Sequence, residues 1–189
     1  MLAFVADRAF ATLAASVGDP ARLVVGQAPV LVDGERLLLH LSRGNVLARS
    51  LPLAVTAVVT GADAYVSPDW YAEADQVPTW NYVSVEIAGR LEATDDAMLL
   101  EILRRQSAQF EARIADKRPW TVDKLRPETL AAKLKGIVGA TLSIDEIRGT
   151  RKLSQNKTDA DRTGVVAALG GSARPADREI AVLMARPRS

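Results

Sequence analysis

Several residue types that support common chemistries are missing or rare in this sequence. None of the 189 residues is a cysteine, which excludes disulfides, thiolate metal ligands and a cysteine nucleophile. The only histidine is His40, so a cysteine–histidine zinc site is excluded, and a serine–histidine–aspartate triad could use only this imidazole. The sequence therefore predicts no metal site.

An excess of one charge sign is also lacking. The chain has 24 lysines and arginines against 23 aspartates and glutamates, a net charge of +1. This balance excludes a strongly basic nucleic-acid coat and a polybasic membrane binder, although a local basic patch stays open. No segment approaches the roughly 20 apolar residues of a membrane span, and Asp7 follows too soon after the start for a signal peptide. We therefore expect a cytoplasmic protein with no membrane partner.

Apolar residues make up 48% of the chain, enough for a real core. The length suits one domain over residues 1–189, with a helical C-terminal segment at about 159–185. Residues 22–32 and 35–41 are rich in β-formers and flank Asp33-Gly34, which predicts a hairpin. Residues 53–60 predict a buried strand followed by a bend at Gly61, and residues 82–91 alternate as a strand.

Helical patterns appear in the second half. An apolar stripe from Met98 to Ile114 predicts a helix ended by residues 117–119, and residues 127–135 predict another. Residues 140–147 alternate as a strand, which we expect to turn at Gly149. Two final helical segments flank Gly170-Gly171, a pattern open to a DNA-binding helix-turn-helix or to a plain helical hairpin. Together these patterns indicate an α+β domain, mainly β, built on a small barrel.

The first candidate site follows the strand that ends at Leu41. Ser42 and Asn45 offer hydrogen bonds there, and Arg43 and Arg49 offer guanidinium forks, just before a short helix. Such a strand end is typical of an anion site, because free N–H groups, hydroxyls and guanidiniums all bind phosphate oxygens. The alternative is a capped helix with solvated arginines.

A second polar region surrounds a cluster of aromatic residues. Five of the nine aromatic side chains fall between residues 65 and 82: Tyr65, Trp70, Tyr71, Trp80 and Tyr82. These rings could stack on a planar ligand whose edges bond to Ser67, Thr79 and Asn81. The alternative is that the rings fill the barrel ends or a subunit interface.

The last candidate segment covers residues 151–157. It contains four side chains able to bond a polar ligand, Lys152, Ser154, Gln155 and Asn156, although a solvated basic loop would look the same. None of the common catalytic signatures for phosphate loops, dinucleotide binding or a serine nucleophile is present. His40 lies in an apolar strand, which favours a structural or ligand-bonding role over general-base catalysis.

Taken in order, these segments resemble the PaiB family, FMN-binding negative transcriptional regulators within the FMN-binding split barrels. Seven motifs of the family correspond to segments of this sequence. They are P-F-A-T-L (residues 9–13), H-x-A-R-A-N-P (40–45), A-Y-[IV]-S-P-x-W-Y (64–71), V-P-T-W-N-Y (77–82), I-V-G (137–139), K-L-S-Q-N (152–156) and D-R-x-G-V (161–165). Two segments depart from the family pattern. Residues 42–44 read S-R-G where the family has A-R-A, and residues 25–29 lack the histidine of A-x-H-L-P.

The resemblance implies a six-stranded antiparallel split β-barrel, with helices after the fifth strand and at the C-terminus, that forms a homodimer and binds FMN. It implies a phosphate site at Ser42, Arg43, Asn45 and Arg49, with His40 below. The flavin ring or ribityl chain would then contact residues of the other two segments: Ser67, Trp70, Thr79, Trp80, Asn81, Lys152, Ser154, Gln155 and Asn156.

The implied function is that of a dimeric flavin-binding transcriptional regulator. A small FMN-dependent oxidoreductase and a dimeric scaffold without flavin are the alternatives. DNA or a regulatory protein would be a further partner, with DNA the weaker expectation because the net charge is close to zero.

Overall fold

The computed structural model describes residues 1–186, which form two compact units. Of the described residues, the first unit contains 1–59 and 85–148, and the second contains 60–84 and 149–186. The prediction of a single domain stays a prediction, since compactness alone does not define independent folding.

Six strands form a closed barrel in the order β1-β2-β3-β6-β5-β4. Their bounds are Phe10–Val17 (β1), Arg22–Asp33 (β2), Arg36–Ser42 (β3), Leu53–Val66 (β4), Thr79–Ala93 (β5) and Ile137–Lys152 (β6). β1 pairs antiparallel with both β2 and β4, and β3 pairs antiparallel with both β2 and β6. The predicted six-stranded antiparallel barrel is confirmed.

Six α-helices accompany the strands in the described part of the chain. They are Leu2–Arg8 (α1), Val46–Arg49 (α2), Asp96–Glu111 (α3), Pro127–Leu134 (α4), Asp159–Gly170 (α5) and Pro175–Ala185 (α6). Helices after the fifth strand and at the C-terminus are therefore present, as the resemblance implied. Within residues 1–186, no helix is both long and apolar enough to span a membrane.

The core of the first unit follows from the alternation of side chains along β3. Leu37, Leu39 and Leu41 point into the barrel, where they join the main buried apolar cluster. Leu38 points the other way and packs against Ile102 of α3. β3 therefore buries leucines on both faces, because the barrel interior covers one face and α3 covers Leu38 on the other.

Several predicted boundaries differ from the structure, including the starts of β5 at Thr79 and of β6 at Ile137. β4 runs unbroken through Gly61, and β6 continues past Gly149 to Lys152. Barrel pairing thus overrides the local tendency of glycine to interrupt a strand. α3 ends at Glu111 and leaves Ile114 half exposed. At this end the Glu111 carboxylate accepts the Trp120 backbone N–H at 2.8 Å, which ties the returning chain to the helix.

Candidate functional site

The predicted phosphate site lies in the turn from β3 into α2. Asn45 caps α2, because its Oδ1 accepts the Leu47 backbone N–H at 2.9 Å. The Ser42 hydroxyl accepts the Gly44 backbone N–H at 3.3 Å. α2 is only four residues long, so any anion held here would depend on side chains rather than on a helix N-terminus.

The two arginines of this turn have different local roles. Arg43 donates from Nε to the Lys135 carbonyl and from Nη2 to the Ile137 carbonyl, both at 3.0 Å, so it fixes the turn to the start of β6. Arg49 is exposed and donates from Nη1 to the Gly44 carbonyl at 2.7 Å. A guanidinium has five N–H donors, so both residues keep donors for a ligand.

This donor set fits the phosphate of FMN. Guanidinium N–H groups and a hydroxyl are the donors that bind phosphate oxygens most strongly, and Ser42, Arg43 and Arg49 are all exposed at the turn. When bound, FMN supplies redox chemistry that amino-acid side chains lack. The turn itself would hold and orient the phosphate.

His40 has a different environment from the rest of this group. Its Nδ1 lies 2.9 Å from Oε1 of Gln106, a buried residue of α3. The sequence analysis did not identify Gln106, although the sequence contains a pattern that points to it. Leu99, Ile102 and Gln106 share one helix face at helical spacing, and a glutamine on a buried stripe needs a polar partner.

The aromatic cluster belongs to the second unit and divides between buried and exposed rings. Tyr65 and Trp80 pack edge to face with 5.9 Å between ring centroids, and both are about half exposed. Tyr82 is also exposed, whereas Tyr71 is buried beneath the Lys157 ammonium group, 4.6 Å from its ring centroid. The exposed rings are free to contact a ligand or another chain.

Two polar residues predicted to bind ligand, Asn81 and Ser154, are bonded to each other. Asn81 is fully buried and its amide pairs with the hydroxyl of buried Ser154 at 3.0 and 3.1 Å. The same amide donates to Sδ of Met184 in α6 at 3.2 Å. Asn81 and Ser154 therefore tie β5, the segment after β6 and α6 together within the second unit.

The remaining residues of these segments lie at the surface or in local turns. Lys152 Nζ donates to the Thr79 hydroxyl at 2.7 Å, and the Ser67 hydroxyl caps the short 3-10 turn Pro68–Trp70. Gln155 Oε1 accepts the Leu153 backbone N–H at 2.8 Å, and Asn156 is exposed. Whether these side chains, or half-buried Trp70, contact a flavin stays a prediction.

A buried carboxylate, also missed by sequence reasoning, organises the second unit. Asp161 has no exposed surface, and its Oδ1 accepts the backbone N–H groups of Ala72 and Glu73 at 2.8 and 3.1 Å. Thr158 caps α5 by accepting the Asp161 backbone N–H at 3.1 Å. The sequence pattern that points to Asp161 is the spacing Thr158-x-x-Asp161, which is a capping-box pattern with aspartate in the acidic position.

The surroundings of Asp161 favour its charged form. Burial alone would raise the pKa of this carboxyl, but hydrogen bonds from the Glu73 N–H, the Thr158 hydroxyl and the Ala72 N–H outweigh burial. The pKa of Asp161 therefore lies below its ordinary value.

α5 also approaches the aromatic segment closely at Gly164. A Cβ atom at this position would lie 2.2 Å from the Trp70 carbonyl oxygen. Only glycine leaves room for this backbone contact. The D-R-x-G-V segment thus holds the Trp70 segment through Asp161 and Gly164.

The comparisons with known proteins define first a class and then a family. The flavin- and haem-binding protein of Mycobacterium smegmatis, whose structure is titled "Structure of the FAD and Heme binding protein", covers 94% of this chain and 91% of its own, with TM-score 0.59 and 20% identity. The flavocytochrome Anf3 of Azotobacter vinelandii covers 82% and 67%, with TM-score 0.56 and 20% identity. At such identity these likenesses show the fold alone, the split barrel.

Family membership rests on closer matches. The family model described as "Putative FMN-binding domain" matches residues 1–146. Protease synthase and sporulation protein PAI 2 of Bacillus subtilis is 33% identical over 147 residues, which cover 77% of this chain and 70% of that protein. The chain therefore belongs to the PaiB family of FMN-binding domains, and the prediction of FMN as the family's cofactor is confirmed. The turn after β3 lies inside the matched segment, whereas residues 152–165 lie beyond it.

The close approach at Gly164 predicts a large effect of one methyl group. We expect Gly164→Ala to lower the free energy of unfolding by about 1–3 kcal/mol, because the Trp70 carbonyl must shift. The matched control is Gly170→Ala, at the end of the same helix, where nothing lies within 4 Å of the added Cβ. Urea unfolding of both variants measures the difference, and equal effects would contradict the close contact.

The lowered pKa of Asp161 predicts an acid-sensitive second unit. A carboxyl with a depressed pKa stabilises the fold above its unfolded pKa of roughly 4, and this contribution is lost as the pH falls through the lower folded pKa. We expect Asp161→Asn to flatten the pH dependence of stability below about pH 4. Urea unfolding across this pH range measures it, with exposed Asp145→Asn as control. An unchanged slope for Asp161→Asn would contradict the assignment.

Proposed function

We propose that this chain binds FMN with the phosphate held at the turn after β3, by Arg49, Ser42 and the free donors of Arg43. The observation that carries the proposal is that the FMN-binding family match includes this turn, and that the turn presents exposed guanidinium and hydroxyl donors. Arg43 would serve both the ligand and the fold, because two of its donors already bind carbonyls at the start of β6.

The chemistry at the flavin is a separate question from binding. Within residues 1–186, no group of three or more metal-ligating side chains comes together. The only imidazole, that of His40, is bonded to Gln106. A flavin sensor and a small FMN-dependent oxidoreductase are both compatible with these residues. The two functions differ in whether a substrate reaches the flavin ring.

A homodimer is the assembly that we propose, and the first unit offers a surface for it. Leu23 and Val25 of β2 are exposed by 71% and 59% on the outer face of the barrel. The β1 residues opposite them are small, Ser16 and Ala14. Exposed apolar side chains beside small neighbours allow close packing of a second sheet, as subunit interfaces require.

The charge of the terminal helices argues against direct DNA contact. α5 carries Asp159, Asp161 and Arg162, and α6 carries Asp177, Arg178 and Glu179, so each helix has two acidic residues and one basic residue. A helix that reads DNA needs an excess of basic side chains. We therefore favour a helical hairpin that packs against its own unit.

The phosphate proposal predicts a loss of affinity that depends on the phosphate. We expect Arg49→Ala to weaken FMN binding by roughly tenfold or more, because a charge-assisted hydrogen bond is removed. Riboflavin, which lacks the phosphate, should bind the variant and the wild type equally. Flavin-fluorescence titration of both ligands measures the two effects.

The control for this titration is Arg90→Ala, which removes an exposed arginine paired with Glu92. The proposal is wrong if wild-type protein binds no FMN, or if Arg49→Ala leaves FMN affinity unchanged. Trp80→Ala in the same titration tests the separate prediction that this exposed ring contacts the flavin.

The dimer proposal predicts dissociation when charge enters the exposed β2 surface. We expect Leu23→Lys with Val25→Lys to give a monomer at micromolar concentration, because four lysines would face each other across a two-fold interface. Sedimentation velocity measures the change, with Val182→Lys, an equally exposed apolar position of α6, as control. A double variant that remains dimeric would place the interface elsewhere.

A further inference from the structure

A small cavity lies beside His40, between β3 and α3. Its volume is about 270 Å³, and its lining includes His40, Gln106, Ser107, Phe110, Glu111 and Trp120. Ligand pockets ordinarily measure roughly 300–1,000 Å³, so this cavity suits a single small ring.

The orientation of the Gln106 amide is fixed by its second partner. Gln106 Nε2 donates to the Pro29 carbonyl at 3.1 Å. A carbonyl oxygen only accepts hydrogen bonds, so the amide nitrogen must face Pro29 and Oε1 must face the histidine. Gln106 is 4% exposed, and turning it over would place two oxygens against each other in a buried site.

This orientation determines the tautomer of His40. Because Oε1 of Gln106 only accepts, Nδ1 of His40 must carry the proton across the 2.9 Å contact. In the neutral ring Nε2 is then an acceptor. Within residues 1–186, no hydrogen bond to Nε2 is present, and His40 lines the cavity, so its imidazole can offer an acceptor there.

The other lining groups leave the cavity without a free charge. The Glu111 carboxylate binds Lys117 Nζ and accepts the Trp120 backbone N–H at 2.8 Å. These two bonds, both to Oε2, lower the pKa of Glu111, so it remains a carboxylate whose charge is paired with Lys117. Phe110 and Trp120 add aromatic surface. Such a lining suits an uncharged aromatic ring better than a phosphate.

We propose that this cavity binds a small single-ring aromatic compound that carries one O–H or N–H donor, with the donor directed at His40 Nε2. Phenol is the simplest member of this class. The aromatic walls bind the ring, and the imidazole selects the donor. Gln106 is a positioning residue, because it acts only by holding the histidine tautomer.

The tautomer provides a direct test, because His40 is the only histidine in the chain. In untagged protein labelled with ¹⁵N, long-range ¹H–¹⁵N spectra contain the signals of one imidazole. We expect the neutral ring to show protonated Nδ1 and unprotonated Nε2. Saturating phenol should shift Nε2 far more than Nδ1. A ring protonated at Nε2, or an Nε2 signal that phenol does not move, overturns the proposal.

The donor is tested by comparing phenol with toluene, a ring of similar size without a donor. A merely apolar cavity prefers toluene, the more hydrophobic compound. We expect wild-type protein to prefer phenol by roughly three- to tenfold, as one hydrogen bond contributes, and His40→Phe to lose this preference. Calorimetric titration measures both affinities, with Trp80→Phe in the second unit as a control that retains the preference. Equal binding, or preference for toluene, by wild-type protein overturns the proposal.

FMN serves as the competing ligand in the same NMR experiment. We expect FMN to leave the His40 Nε2 signal unchanged when phenol shifts it. If FMN shifts Nε2 and excludes phenol, His40 belongs to the flavin site and the proposal is overturned. Because this experiment observes the His40 signals alone, its outcome does not depend on whether Arg49 binds the phosphate.

Discussion

The pairing between β1 and β4 closes the barrel, and the architecture of the first unit depends on it. Only three residue pairs are involved, Thr12↔Val58, Leu13↔Ala57 and Ala14↔Thr56. With this pairing β1 has a neighbour on both sides and the ring has no open edge. The inward side chains of β1 include the small Ala11 and Ala15, and leucines of β3 share the buried interior with them. Closure therefore determines which faces of β2 and β3 point outward, where Leu31 and Leu38 pack against Ile102 of α3.

Some of the motifs that identify the family contain polar side chains that are buried and bonded within the protein. In the second unit, Asn81, Ser154 and Asp161 are buried and bonded within the protein. A buried polar group without a partner costs about 1–3 kcal/mol, so each of these positions constrains its neighbours in structure. Ser154 also adopts a left-handed backbone with φ of 55°, which a non-glycine residue keeps only when its surroundings hold it. These polar side chains thus stabilise the second unit, and their contact with a ligand stays a prediction.

Much of the fold could be predicted from the sequence, because β alternation and helix stripes report burial directly. The hairpin at Asp33-Gly34 and the strands on either side follow from local chemistry alone. Strand lengths could not be predicted, since β4 and β6 pass through glycines that barrel pairing holds in register. The residue types of the candidate site could be predicted from the sequence, but the role of each residue could not. Burial and pairing separate Arg49, an exposed cation, from Asn81, a buried amide, and neither property is visible in a motif.

The alternation of β3 explains why one sequence segment yields two environments. Leu39 and Leu41 face the barrel interior, so His40 between them must face outward, where α3 supplies Gln106. Ser42 shares the outward direction, but it lies at the end of the strand, where the chain turns into α2 and the arginines are exposed. Residues that are neighbours in the motif from His40 to Asn45 thus differ in solvent access and charge. A phosphate requires the charged, open end of this segment, whereas the covered imidazole suits a neutral donor.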